Sequence, residues 1–367
     1  MADAELVQRA KSLLDALCER PRFAGSADET RARSICRTEL EAAGFECRGI
    51  QFDYSQWPGR WGPPLSAAAL AATIVVVARM AKEGRPLLAL GIGGAIIAIL
   101  FFVDAYARRR WIMGFPAQRA TSVNLEAKRG EPRVWLVAHL DSKSQTVPIL
   151  VRIAGSVALV AVAVLTALAL TLAIFGFEAV NVLWPGLQIA AIAAALPGIL
   201  CFVGNKSTGA VDNATGVVAT ILAARSGDAP SDLGVLITSA EELGLAGARK
   251  VAGTAQSGTV FLNCDTVDDE GGWRCMYTLT RPERITAAAL NVARRIDMPL
   301  RVSRLIPGIL ADSMPFAERG MEAVTISRGT LATLGRIHTR RDFSNTMTGR
   351  GAAEASVLLS ALAKELI

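Results

Sequence analysis

Four uncharged apolar blocks constrain this chain more than any other feature. Residues 61–78 and 86–103 each run 18 positions without a charge, residues 153–177 run 25, and residues 179–205 run 27. A helix that crosses a bilayer needs about 20 mostly apolar residues, with a lower limit near 17. The second pair of blocks exceeds that length comfortably, and the first pair sits at its short end. The connectors within each pair are short: residues 79–85 in the first, and the neighbourhood of Glu178 in the second. Each pair therefore predicts an antiparallel hairpin, giving four transmembrane helices in all and a lipid bilayer as partner. A hairpin returns the chain to the side it left, so the remaining segments should share one face of the membrane. That side offers Arg60, Arg108, Arg109, Arg110, Arg119, Lys143, Arg152 and Lys206 near the block ends, and the hairpin tips offer Arg79, Lys82 and Arg85. Eight basic residues against three predict a cytoplasmic location for the soluble part of an inner- or cell-membrane protein.

The rest of the composition narrows the class. The net charge is +6, but the basic residues are spread or flank apolar blocks, with no aromatic interleaving, so nucleic acid is not an expected partner. The six cysteines (Cys18, Cys36, Cys47, Cys201, Cys264 and Cys275) form no Cys-x-x-Cys pair. That excludes a small disulfide-stapled framework and fits a reducing compartment. The opening Met1-Ala-Asp-Ala-Glu-Leu has no basic region ahead of an apolar core, so no cleaved signal peptide is expected.

Outside the blocks the pattern alternates. Apolar spacing predicts helices over 4–19 and 28–43, the second stopped by Gly44, then a strand over 45–54. Further on, strands are predicted at 134–138, 233–238, 259–263 and 323–326, with helices at 213–224, 243–252, 285–295 and 351–366. Strand–helix alternation of this kind argues for an α/β fold with a mainly parallel sheet covered on both faces. The expected organisation is a soluble domain in three pieces, 1–56, 116–147 and 206–367, interrupted by hairpins at 57–115 and 148–205.

The candidate chemistry lies mostly at strand carboxyl ends, where open α/β sheets bind ligands. His139 ends a strand in Ala-His-Leu-Asp-Ser, and Asp141 two residues on could accept its second ring N–H; a solvated histidine near a turn is the bland alternative. Asp212 precedes a helix in Gly-Ala-Val-Asp-Asn-Ala-Thr-Gly, where an N-cap role is the ordinary one. Glu241 and Glu242 follow an apolar strand. Two adjacent carboxylates there suggest a cation, or a helix first turn. Asp265 follows another apolar strand and could be a turn residue. His338 opens His-Thr-Arg-Arg-Asp, with Asp342 placed to orient it. Two histidines and several carboxylates at strand ends are a donor set that zinc accepts.

The order of these motifs resembles the family-28 zinc metallopeptidases, a family with bacterial leucyl-type aminopeptidases, glutamate carboxypeptidase and, as a divergent branch, glutaminyl cyclase. The matching strings are those above together with Glu-Glu-Leu-Gly-Leu-Ala-Gly-Ala, Asn-Cys-Asp and, at 311–316, Ala-Asp-Ser-Met-Pro-Phe. The resemblance covers nearly all the chain outside 57–115 and about 145–205. It implies a three-layer α/β/α sandwich and two zinc ions. Asp212 would bridge them, Glu242 and His338 would complete one site, and His139 and Asp265 the other. Glu241 would be the general base and Asp141 would orient His139. The implied activity is exopeptidase action on a peptide substrate, most simply as an aminopeptidase. A related amide hydrolase or carboxypeptidase on the same site, or a non-catalytic membrane protein binding a ligand or partner, are the other readings; five ligands argue for two metals and against a one-metal cyclase. The chain departs from the family pattern at Ser313, where the family has a histidine, and in 305–310, which lacks a tyrosine found in some members. It departs again in the 71-residue interval from Asp141 to Asp212. The sequence does not define an oligomeric state.

Overall fold

The computed structural model describes the chain apart from residues 1, 107–111, 228 and 307. Arg108, Arg109 and Arg110, counted above as membrane-flanking charges, lie outside the described residues. The chain divides into two compact units. One comprises Met1–Tyr54, Arg119–Ser144 and Asn205–Ile367; the other comprises Ser55–Gln118 and Gln145–Gly204.

The first unit is built on an eight-stranded sheet. Its strands are β1 (Glu46–Ser55), β2 (Arg119–Lys128), β3 (Val134–His139), β4 (Leu233–Thr238), β5 (Val260–Val267), β6 (Gly272–Tyr277), β7 (Leu300–Arg304) and β8 (Glu322–Gly329). Across the sheet the order is β1-β2-β4-β3-β5-β8-β6-β7. The four central strands β4, β3, β5 and β8 run parallel, whereas β2 is antiparallel to β4 and β6 is antiparallel to β8. The result is a mixed sheet with a parallel centre. Every residue of β4 is buried. Successive side chains of a strand point to opposite faces, so both faces of the sheet must be covered. On one face Val137, Leu236 and Phe261 pack with Ala248 and Ala252 of the helix Ala246–Ala252, and with Phe316. The rings of Phe261 and Phe316 stack with centroids 3.7 Å apart.

Local chemistry sets the element ends. The Asp3 carboxylate accepts from Leu6 N at 2.8 Å and starts the helix Ala4–Leu17. Ser26 caps Ala27–Glu41 in the same way through Glu29 N. Gly44, at φ +80°, follows that helix as expected of a stop residue. Strands β2, β6 and β7 lie where no strand was expected. β7 is short and largely solvent-facing, and Arg301 and Arg304 interrupt any apolar run. The helix expected over 213–224 begins at Thr215, and that expected over 243–252 begins at Ala246. In both cases the preceding residues form a turn that carries candidate ligands.

The second unit consists of the apolar helices. Three are long and apolar enough to cross a membrane: Trp57–Lys82, Pro86–Val103 within the helix Pro86–Tyr106, and Ile149–Ile174. The fourth block departs from the expectation of a fourth long helix. It forms a 3₁₀ turn at Glu178–Val182 and then a helix of only 16 residues, Trp184–Ile199. Pro185 favours a helix start at that point. Pro197 and Gly198 bring it to an end two residues later. The relative lengths of the pairs are thus reversed. The first helix of the first pair reaches 26 residues, because helix continues through Arg60 at one end and Arg79–Lys82 at the other.

These helices pack through small residues. Ala71, Ile74, Leu159, Val162, Ala191 and Ala195 form one buried cluster. Of the run Gly91-Ile-Gly-Gly-Ala, Gly93 makes the close approach: a Cβ there would lie 2.8 Å from Val77 Cγ2. The outward faces are strongly apolar, with Leu87 at 70% and Phe102 at 72% exposure and Val157, Val164 and Ile189 similarly open. A continuous exposed apolar surface of this kind needs a non-aqueous neighbour.

Candidate metal centre

Strand ends and the turns beside them carry the candidate ligands, and polar contacts fix them. After β3, Leu140 N donates to Thr238 O at 2.9 Å and prolongs the strand pairing past His139. The fully buried Arg22 then clamps the loop. Its Nε donates to Leu140 O at 2.8 Å, and its Nη2 donates to Gly209 O at 2.9 Å on the approach to Asp212. Gly209 has φ +58°, and a Cβ there would meet Asp212 O at 2.4 Å, so only glycine fits. Asp212 and Asn213 have non-helical dihedrals, and no side chain caps the helix Thr215–Ala224. Asp212 is therefore not a helix N-cap. Asn213 ties this turn to β5: its Nδ2 donates to Cys264 O at 2.9 Å, and its Oδ1 accepts from Gly216 N and Thr266 N.

Asp141 and Asp342 play parallel parts in holding the turns of the site. The His139 Nδ1 lies 3.0 Å from the Asp141 carbonyl oxygen and 3.7 Å from its carboxylate. The Asp141 carboxylate accepts from Glu241 N at 3.1 Å and Glu242 N at 3.2 Å. The Asp342 carboxylate accepts from Val211 N at 2.8 Å and Asp212 N at 3.2 Å. Each carboxylate pins a pair of adjacent amides at a ligand-bearing turn.

The ligand atoms converge into two groups that share Asp212, namely His139–Asp212–Asp265 and Asp212–Glu242–His338, all buried. His139 Nε2 lies 3.1 Å from Asp212 Oδ1 and 3.5 Å from Asp265 Oδ1. His338 Nε2 lies 3.0 Å from Asp212 Oδ2 and 3.1 Å from Glu242 Oε1. Each oxygen of Asp212 therefore serves one group. Despite this crowding, His139 Nε2 and Glu242 Oε1 make no hydrogen bond among the described residues. Zinc bonds of about 2.0–2.2 Å at tetrahedral angles would place neighbouring ligand atoms about 3.4 Å apart. The observed separations of 3.0–3.5 Å match a ligand cage. Glu241 stands beside the groups and not within them, with Oε2 4.0 Å from His139 Nε2.

The electrostatics point the same way. Asp141, Asp212, Glu241, Glu242, Asp265, Asp312 and Asp342 are all buried close together. Burying that many carboxylates without compensating cations would be prohibitive. Burial opposes ionising Asp212, but the two flanking imidazoles outweigh it and hold its carboxyl well below the usual range. Burial raises Glu241 well above the usual carboxylate range, with Glu242, Asp265 and Asp312 adding to the shift against the opposing His139. Asp312 is pushed up to about 7, mainly by burial. It accepts from Thr238 Oγ1 on the strand beside β3. Ser313, the position of the family histidine, is turned to Thr325 Oγ1 at 2.7 Å.

Behind the Glu241 turn lies a second polar network. Glu29 accepts from Gly25 N at 2.8 Å, Ser122 Oγ at 3.2 Å and Ser239 Oγ. Burial, reinforced by the charge of Asp141, pushes the Glu29 carboxyl up to about 7 from an ordinary 4.5. Because the folded value is the higher one, its contribution to stability is complete below about pH 4.5 and is lost as pH rises through about 7. The loss amounts to about 3 kcal/mol by pH 8. Relative to Glu29→Gln, the wild-type melting temperature should therefore fall between pH 5 and pH 8. Parallel curves for the two proteins would contradict this placement of Glu29.

The structure brings all five candidate ligands together. The sequence expectation passed over Asp312, Lys143, Asn213 and Arg22. Asp312 sat in a quoted motif whose interest lay in Ser313, and Lys143 was counted only as a flanking charge.

The model of Peptidase family M28 matches residues 187–362, a range that includes Asp212, Glu241, Glu242, Asp265 and His338. No curated protein sequence matches the chain. Among solved structures, the aminopeptidase from Aneurinibacillus sp. strain AM-1 aligns with a TM-score of 0.57 at 14% identity, covering 97% of this chain and 92% of that one. A zinc aminopeptidase from Bacillus subtilis gives 0.57 at 14% identity, covering 97% and 94%. A Porphyromonas gingivalis glutaminyl cyclase gives 0.55 at 11% identity, covering 98% and 99%. At these identities the likeness is one of fold. Residues 187–362 thus match the model of Peptidase family M28, and the chain has a fold similar to those of zinc aminopeptidases and glutaminyl cyclases.

Proposed function

We propose that this protein is a membrane-anchored dizinc exopeptidase that removes N-terminal residues from peptides. The observation that carries the reading is the pair of three-ligand groups sharing the two oxygens of Asp212. His139 and Asp265 would hold one zinc, Glu242 and His338 the other, with Asp212 between them. Two zinc ions held there would supply Lewis acidity toward a scissile carbonyl and lower the pKa of an attacking water. Glu241 accepts the proton of that water. It then returns the proton to the departing amine, a task suited to a carboxyl whose pKa is raised. Asp141 holds the backbone from which Glu241 and Glu242 project.

The same donor set could serve a related amide hydrolase or a carboxypeptidase, and the shared fold with glutaminyl cyclases extends the comparison to a cyclase. The five donors and the divided carboxylate of Asp212 favour two metals over one. The apolar unit would lie in a bilayer as two hairpins, with Trp184–Ile199 as a short fourth crossing, and the catalytic unit would face the cytoplasm. The exposed apolar faces support the membrane part of this reading.

A panel of peptides with free, N-acetylated and C-amidated termini tests the activity. Hydrolysis of free-amine peptides, abolished by acetylation and by chelators, is the expected result. Cleavage that requires a free carboxylate would move the assignment to a carboxypeptidase.

A further inference from the structure

The two halves of the centre are electrostatically unlike. In the His338 half, Lys143 Nζ sits 2.6 Å from Glu242 Oε2 and donates to the Glu242 carbonyl oxygen at 3.2 Å. The ammonium is largely buried, with the side chain 13% exposed, and so is poorly screened. The carboxylate is thus divided: Oε2 faces Lys143, while Oε1 faces His338 at 3.1 Å. In the His139 half, the contacts of Asp265 among the described residues are the His139 imidazole and the neutral Thr266 hydroxyl at 3.1 Å. One half carries a fixed cation on its own ligand and the other does not.

A fixed positive charge on a ligand carboxylate acts in two ways. It withdraws electron density from the oxygens that would bind a metal, and it repels any divalent cation brought to them. Between charges a few ångströms apart in a poorly solvated setting, this repulsion is worth at least about tenfold in an equilibrium constant. Lys143 also balances part of the buried negative charge when the metal is absent, so metal must compete with it.

Building on the two-metal reading above, we propose that Lys143 is a positioning residue that makes the His338 half of the centre the weaker, exchangeable metal site, and leaves the His139 half tightly loaded. Glu242 would then have Oε1 to offer a metal, because Oε2 is engaged by Lys143.

The test is a zinc titration of the full chain in detergent against a competing metallochromic chelator, on wild type, Lys143→Met and Lys143→Arg. Melting of each metal-free protein checks that it is folded. Wild type should bind two equivalents in separated steps. Lys143→Met should tighten the second step by about tenfold or more and leave the first unchanged. Lys143→Arg keeps the charge and should retain the wild-type separation; it also stands as the informative variant if Lys143→Met fails to fold, because a tightened second step in it would overturn the charge argument. A second step in Lys143→Met that is unchanged or weaker would show that Lys143 merely props Glu242, and would overturn the inference while leaving two-metal binding intact. Equal affinities in wild type would overturn it as well. Wild type that binds no zinc would sink the two-metal reading itself.

Discussion

Glu241→Gln is expected to retain the full metal content and to lose about 10²- to 10⁴-fold in kcat, the range that a positioned general base supplies. Glutamine matches glutamate in shape but cannot take up a proton. The side chain lies outside both ligand groups, 4.0 Å from His139 Nε2, so the cage should be undisturbed. The turn should persist too, because Asp141 holds it through backbone amides that the substitution does not touch. Turnover near the wild-type level would remove Glu241 from the role of base.

His338→Ala and His139→Ala should each cost about one equivalent of metal, because each removes the only nitrogen donor from one ligand group. A ligand loss should weaken its site by more than the 10- to 100-fold typical of residues that merely support ligands. Asp212→Asn is expected to do more damage than either, since its carboxylate serves both groups. Two full equivalents in His338→Ala would contradict the ligand assignment. These losses are measured on purified protein by metal analysis after dialysis against a weak chelator.

Much of the site was legible in the sequence because a parallel sheet exposes its strand carboxyl ends together. His139, Glu241, Glu242 and Asp265 each follow a strand whose apolar run is visible, and the β3–β4–β5 register brings them to one edge. The functions of Asp141 and Asp342 were less legible. Sequence distance suggested that each would orient its nearby histidine; it gave no sign that each carboxylate also binds two amides of a turn distant in the chain, a contact that only the tertiary fold creates. Asp312 and Lys143 were missed for a related reason: Asp312 follows no predicted strand, and Lys143, although next to the Ala-His-Leu-Asp-Ser motif, reaches Glu242 across 99 positions of sequence. In the apolar unit, the absence of charge located the helices but not their ends. Trp57–Lys82 outran its uncharged block, and Pro185 and Pro197 confined the last helix within a longer one. The strands β6 and β7 escaped notice because they are short and half-exposed, with arginines along their open face.

The most direct test of the account is the number of zinc ions bound per chain in detergent-purified wild type, measured beside hydrolysis of peptides with free amino termini. The account predicts two, with turnover that disappears on chelation and returns when zinc is restored. One zinc or none at saturating metal would contradict the shared-Asp212 centre and, with it, the dizinc peptidase reading.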